Sequence, residues 1–143
     1  MREVIAPGPV GGDRVLTVRQ PWAALLAAGV KNIENRSRQT HYRGRVWIHA
    51  SGYSQLGLRV GGHKLWAPQM FQVSRDSAGY WVTLPNSPFT VPMTFGAVIG
   101  SVEIVDCVRD HQSQWAEPDR WHWVVANAEF LYQHRCRLSR IRA

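Results

Sequence analysis

Lys31, Glu34 and Arg36 form a Lys-x-x-Glu-x-Arg pattern within the stretch LTVRQPWAALLAAGVKNIENR, which runs from Leu16 to Arg36. Side chains alternate along a strand, so Glu34 and Arg36 share a face and can pair as an ordinary salt bridge. Lys31 stands in the turn before them and can swing to the same side. The chain uses lysine only at Lys31 and Lys64. Lysine can lose its proton when desolvated, which arginine cannot do. A Lys31 buried beside a carboxylate is therefore suited to serve as a base, a nucleophile or a phosphate ligand, with Glu34 as its acid–base partner. A purely structural ion pair fits the same spacing.

Other residues of chemical interest stand at the ends of short elements. Arg19 and Gln20 close a strand and precede a helix. Glutamine is a poor N-cap, so the first helical N–H groups are expected to be unpaired and, beside Arg19, open to an anion. His49 and Ser51 follow Trp47 on one face of VWIHAS, where His49 reads either as a proton carrier or as a hydrogen-bonded core histidine. Glu103 interrupts the apolar run GSVEIV and gains a chemical role if it faces Lys31. Trp121, His122 and Trp123 alternate aromatic, polar, aromatic, and aromatic faces beside arginines stack unpaired bases. With seven tryptophans in the chain, most must serve the core. No Walker loop, G-x-S-x-G elbow or zinc-deaminase pattern is present. The six histidines and two cysteines, Cys107 and Cys136, show no ligand spacing, so neither metal nor cofactor is expected.

The elements that must position these groups are short. Arg14 to Arg19 alternates as a strand, Pro21 suits the first helical position, and Gly29 suits the stop. Trp22, Leu25, Leu26 and Gly29 share one helical face with alanines around the rest, so the helix should be buried nearly all round. Ile33 to Arg38 and Arg45 to Ala50 read as strands joined by a turn near His41 to Gly44. Residues 52–70 carry too many glycines for a long helix. FQVSRDSAGYWVTL reads as a hairpin turning at Ser77–Gly79, or as a long loop. Ala97 to Val108 is the clearest strand, with a bulge expected at Gly100. Trp121 to Ala126 and Arg135 to Leu138 are further strand candidates. The pattern suggests an α+β or barrel-like fold, without repeats or a second domain.

Composition bounds the partners. A chain of 143 residues with formal charge +7 fits a single domain over 14–143 after a flexible, Pro/Gly-rich lead at 1–13 without the apolar stretch of a secretory signal. No run approaches the ~18 apolar residues of a membrane span. The sparse, widely separated cysteines suit a cytoplasmic protein. Fifteen of the seventeen basic residues are arginine. They cluster at Arg36, Arg38, Arg43 and Arg45 and again at Arg135, Arg137, Arg140 and Arg142. Such clusters suit nucleic acid or a phosphorylated small molecule, although a solvated basic surface has the same composition.

Arg19–Gln20–Pro21–Trp22, Gly29–Val30–Lys31, Ile33–Glu34–Asn35–Arg36 and Ile48–His49–Ala50–Ser51 together resemble the ASCH (activating signal cointegrator-1 homology) domain. Gly96 to Gly100, Val102 to Cys107, Trp121 to Val124 and Cys136–Arg137 extend the likeness over roughly 14–138. The resemblance implies a PUA-like β-barrel with short flanking helices, and a cleft for RNA or a modified nucleoside or nucleotide. It implies cleft positions at Arg19, Gln20, Lys31, Glu34 and Arg36. Arg38, Arg43, Arg45, His49 and Ser51 join these as candidate ligand contacts. Some members of the family are amidohydrolases that release the acyl group of N(4)-acetylcytidine with a lysine, a threonine and a glutamate, and others are described as ribonucleases. Lys31 matches that lysine, whereas Glu34 stands where the threonine would be. Three functions follow as expectations. The first is RNA or nucleotide binding, the second a metal-independent hydrolase using Lys31 and Glu34, and the third a protein-interaction module.

Overall fold

Short alternating apolar runs punctuated by glycine and proline give many brief strands and, among the described residues, one short helix. The structure, a computed structural model, describes residues 11–52, 72–83 and 90–131. Its elements are β1 (Val15–Val18), α1 (Trp22–Ala27), β2 (Ile33–Arg36), β3 (Gly44–Ala50), β4 (Gln72–Asp76), β5 (Gly79–Thr83), β6 (Thr90–Met93), β7 (Ala97–Val108) and β8 (Trp121–Phe130). Five strands form one sheet in the order β1-β3-β7-β8-β2, and β4-β5-β6 form a second. Among the described residues only the β1–β3 pair is parallel.

The larger sheet curls into a half-barrel, as a PUA-like β-barrel requires, and α1 packs against its hollow side. Val46, Ile48 and Ala50 of β3 point inward and are buried, as are Val102 and Ile104 of β7 and Val125 of β8. Trp47 and His49 take the opposite face and are half-buried, as the strand alternation demands. β1 and β2 are the two edges of the sheet, yet the Arg36 guanidinium Nη2 of β2 donates to the Thr17 carbonyl of β1 at 2.8 Å. One side chain thus draws the two edges toward each other. Among the described residues the class is mostly strand with one short helix, consistent with a PUA-like β-barrel.

α1 is too short to persist alone; packing sustains it. Ala23, Ala24, Leu25, Leu26 and Ala27 are all buried, each leucine contributing about 1.5–3 kcal/mol by leaving water. Gly29 adopts φ +79°, the left-handed conformation that ends helices and that glycine takes without a Cβ clash. The amides of both Val30 and Lys31 then donate to the Leu25 carbonyl at 3.0 Å. That reversal delivers Lys31 to the underside of the helix.

The helix start corrects two expectations. Pro21 is the N-cap rather than the first helical residue. Gln20, expected to cap poorly, is fully buried, and its Oε1 accepts the Ala24 amide at 2.9 Å while its Nε2 donates to the Thr94 carbonyl at 2.8 Å. Ala23 and Leu25 donate to the Arg19 and Pro21 carbonyls. These amides are occupied, so the anion site expected at this helix start does not form. Gln20 succeeds because a carbonyl on a longer stem reaches the fourth residue on.

The hairpin arms expected around Ser77–Gly79 are β4 and β5, and β6 adds a third strand. Asp76 accepts the amides of Ala78 and Gly79 and the Trp81 indole N–H. The Trp81 and Ala78 donors hold its carboxyl below the ordinary value. The bulge expected at Gly100 falls beside it. Ile48 pairs with Gly100 and His49 with Val98, leaving Ile99 as the extra residue. A Cβ on Gly100 would collide with the Glu129 carbonyl oxygen and lie 3.0 Å from Ala27 Cβ. β2 ends at Arg36, two residues short of the expected strand. The glycine-rich segment from 53 onward, the strand expected over Arg135–Leu138 and the C-terminal arginines lie outside the described residues. Among the described residues no helix is long and apolar enough to cross a membrane.

Candidate functional site

β2 and the turn after α1 bring Lys31, Glu34 and Arg36 together on the inner face of the curled sheet. Lys31 is only 3% exposed. Its Nζ donates to the Ile33 carbonyl, lies 3.6 Å from Glu34 Oε1 and sits 5.9 Å from the centroid of the Trp22 ring. The buried Glu34 accepts through Oε2 from Nε of Arg36 at 2.8 Å, and Arg36 Nη2 forms an ion pair with the same oxygen at 2.8 Å. The Arg36 guanidinium also lies 5.8 Å from the Trp123 ring centroid, and its side chain is one-third exposed. Burial pushes the Lys31 pKa below its ordinary value, and the Glu34 carboxylate opposes that shift without cancelling it.

When Lys31 is protonated, two cations share one carboxylate and the cluster carries an excess positive charge in a sheltered place. Nε and Nη2 of Arg36 are engaged, whereas Nη1 has no partner among the described residues. Those donors are what the cluster can offer an incoming carbonyl, phosphate or base edge. The lowered Lys31 is the group best suited to exchange a proton.

The remaining residues singled out from the sequence are dispersed. Arg19 and Arg38 are exposed just beyond β1 and β2, and the Arg38 carbonyl accepts the Trp123 indole N–H at 2.8 Å. Arg43 donates to the Thr40 and Tyr42 carbonyls and faces Asp106 at 3.7 Å. Arg45 lies on the outer face, bound to Ser101 Oγ and the Asn127 carbonyl. His49 is there too, 3.3 Å from Thr17 Oγ1, half-buried rather than a core histidine. Ser51 is buried just past β3, and its Oγ has no hydrogen-bond partner among the described residues. Glu103 does not face Lys31. It stands opposite Arg45 and accepts from Asn127 Nδ2 at 2.9 Å, because β7 carries it to the outer face. Among the described residues, no three His, Cys, Asp or Glu side chains group as metal ligands.

Comparison with known proteins decides the family: the ASCH domain profile matches residues 16–133. The chain belongs to the ASCH domain family. Activating signal cointegrator 1 of Mus musculus is 36% identical over 108 residues, covering 76% of this chain and 16% of that protein. Its counterpart in Homo sapiens is 34% identical over 108 residues, with the same shares. The chain thus spans only a small part of the length of these relatives. The ASCH domain is generally associated with RNA binding.

Within this ASCH domain, Thr17 and Arg109 are participants not singled out from the sequence. Thr17 contributes a backbone carbonyl, which carries no residue-type signal. Trp22, on the leucine face of α1, is half-buried and shelters Lys31 instead of being wholly core. Arg109 packs over Trp121 at 5.1 Å, a contact visible only once the β7–β8 register is known. In Trp121–His122–Trp123 the histidine is the buried member. Its Nδ1 accepts the His111 amide at 3.2 Å and its Nε2 bonds the Glu117 carbonyl at 2.7 Å, which fixes a neutral tautomer with the proton on Nε2. Asn35 extends the brace. It donates to the Trp115 carbonyl and accepts the Glu117 amide, both at 2.9 Å. The β7–β8 loop is thereby tied to the strand that carries Glu34 and Arg36.

Proposed function

We propose that this ASCH domain binds RNA or a nucleotide on the hollow side of its curled sheet, with Arg36 as the principal contact. The observation that carries the reading is the Lys31–Glu34–Arg36 cluster, in which Lys31 and Glu34 are buried and the one-third-exposed Arg36 keeps an unengaged Nη1 among the described residues. Glu34 fixes the plane of the Arg36 guanidinium, Lys31 supplies a second positive charge behind it, and Trp22 and Trp123 border the cluster with apolar rings. Arg19 and Arg38 attract the phosphate backbone from the ends of β1 and β2. Gln20 and Ser51 shape the surrounding backbone, and Arg43, Arg45 and His49 contribute field more than contact. A cytoplasmic setting belongs to this reading. In titrations of a fluorescein-labelled single-stranded RNA, Arg36→Gln should weaken binding about tenfold, in the range for losing a charge-assisted hydrogen bond. Unchanged affinity in a folded Arg36→Gln protein would reject this site.

A second reading rests on the lowered pKa of Lys31. As the free amine, Lys31 would take a proton from water attacking the amide carbonyl of an acylated cytidine. Glu34, once protonated, would pass a proton to the departing amine. Release of acetate from N(4)-acetylcytidine by the wild-type protein, lost in Lys31→Arg with an unchanged melting temperature, is the expected result. No release from the wild type, or full activity in Lys31→Arg, would remove the hydrolase reading while leaving the binding reading intact.

A further inference from the structure

Trp121 and Trp123 occupy alternate positions of β8, so both rings project from one face about 6.7 Å apart along the strand. Their cross-strand neighbours on β2 are Arg36 opposite Trp121 and Glu34 opposite Trp123. On the other side, Val108 of β7 pairs with His122, and Arg109, one residue further, lays its guanidinium over Trp121 at 5.1 Å. The face therefore carries a row Arg109–Trp121–Arg36 one step outward from the row that holds Glu34. Trp123 is packed on the core and pinned through its indole N–H to the Arg38 carbonyl. Trp121 is half-exposed, belongs to neither core cluster, and its indole N–H has no hydrogen-bond partner among the described residues. Beyond the Arg109 contact, no core packing among the described residues accounts for this large ring.

From this arrangement we infer that Trp121, flanked by Arg36 and Arg109, is a stacking platform for an unpaired base of single-stranded RNA, adjoining the Lys31–Glu34–Arg36 site. The inference rests on the binding reading and adds a second subsite to it. Aromatic side chains exposed on a sheet surface stack unpaired bases, and Trp121 presents such a ring. The Arg109 guanidinium, over the ring at 5.1 Å from its centroid, adds cation–π attraction on that side and stands within reach of the phosphate. The flanking loop offsets its own charge, since Asp110, Glu117 and Asp119 accompany Arg109 and Arg120. Stacking, not net charge, is thus what this subsite supplies. Duplex RNA keeps its bases paired and gains nothing from it.

The test compares Trp121→Leu, Trp121→Phe and Arg36→Gln for binding of a short oligouridylate, uridine monophosphate and a short RNA duplex. Trp121→Leu should weaken the oligouridylate about tenfold, equally at about 50 and 300 mM salt, and leave the monophosphate and the duplex unchanged. Trp121→Phe should restore most of the loss, because it keeps a π face. Equal losses for all three ligands, or the same affinity in a folded Trp121→Leu, would overturn the platform while Arg36→Gln still tests the adjoining site. Wild-type protein that binds none of the ligands would overturn both.

Discussion

Lys31 is held where an ammonium group is poorly solvated, and that has a measurable consequence. Its folded-state pKa is below the ordinary 10.5, chiefly through burial. Between the lowered value and 10.5 the unfolded chain binds more protons at this site than the folded one, so its contribution to stability rises with pH. Below the lowered value both states are protonated and the burial penalty is paid in full. Urea unfolding of the wild type and of Lys31→Met should therefore show the wild type gaining on the variant as pH is raised from neutral toward 10.5. A constant gap would mean that Lys31 titrates normally. Glu34 is the opposite case, the carboxylate that reconciles two cations. Glu34→Gln keeps the volume and removes the charge, leaving Lys31 buried without its counterion. Breaking such a pair costs about 3–5 kcal/mol, and the exposure of Arg36 places this loss near the lower end. Urea denaturation midpoints measure it directly. Lys31→Met, which removes the buried amine instead, should cost less than Glu34→Gln.

The elements that hold these residues depend on one close approach. β7 crosses β8 and α1 where only a hydrogen fits, so Gly100→Ala should force the Glu129 backbone or α1 outward and lower stability by about 1–3 kcal/mol, read as a fall in melting temperature. Because α1 also covers Lys31, the same variant should speed hydrogen exchange at the Lys31 amide, whose acceptor is Leu25 of that helix. Much of this layer was legible beforehand. Pro21 and Gly29 bracket α1, the alternation of VWIHAS sorts β3 into two faces, and AVIGSVEIVDCV announces β7. These signals are local and act through backbone conformation or burial period. What stayed hidden depends on register and curvature. Glu103 was a candidate partner for Lys31 until the pairing set it against Arg45. The bond from Arg36 to the Thr17 carbonyl joins strands that are adjacent only because the sheet curls. The row of Arg109, Trp121 and Arg36 exists only in the register of β7, β8 and β2. Gln20 departs from expectation for another reason: standing one residue before the N-cap, its longer side chain still reaches the Ala24 amide.

At the scale of the whole molecule, the formal charge of +7 overstates what the described surface offers a polyanion. Arg43 faces Asp106 and spends its donors on nearby carbonyls, Arg45 is bound to Ser101 and Asn127, and Arg14 lies over the Tyr42 ring at 4.2 Å. Arg36 shares its charge with Glu34. The arginines best placed to meet phosphate beside the cluster are Arg19, Arg38 and Arg109, and Asp110 stands next to the last. Single-stranded RNA that contacts about two or three phosphates through them should show a slope of about −2 in log K against log salt. That is shallow for so basic a chain. A slope near −2 for the wild type, reduced by about 0.7 in Arg38→Gln, would place the phosphate contacts at the ends of β1, β2 and β7. A slope steeper than about −5 would require many more cations. Arg135, Arg137, Arg140 and Arg142 are the remaining dense source of them, and replacing those four with glutamine should then flatten the line while leaving the Trp121→Leu decrement untouched.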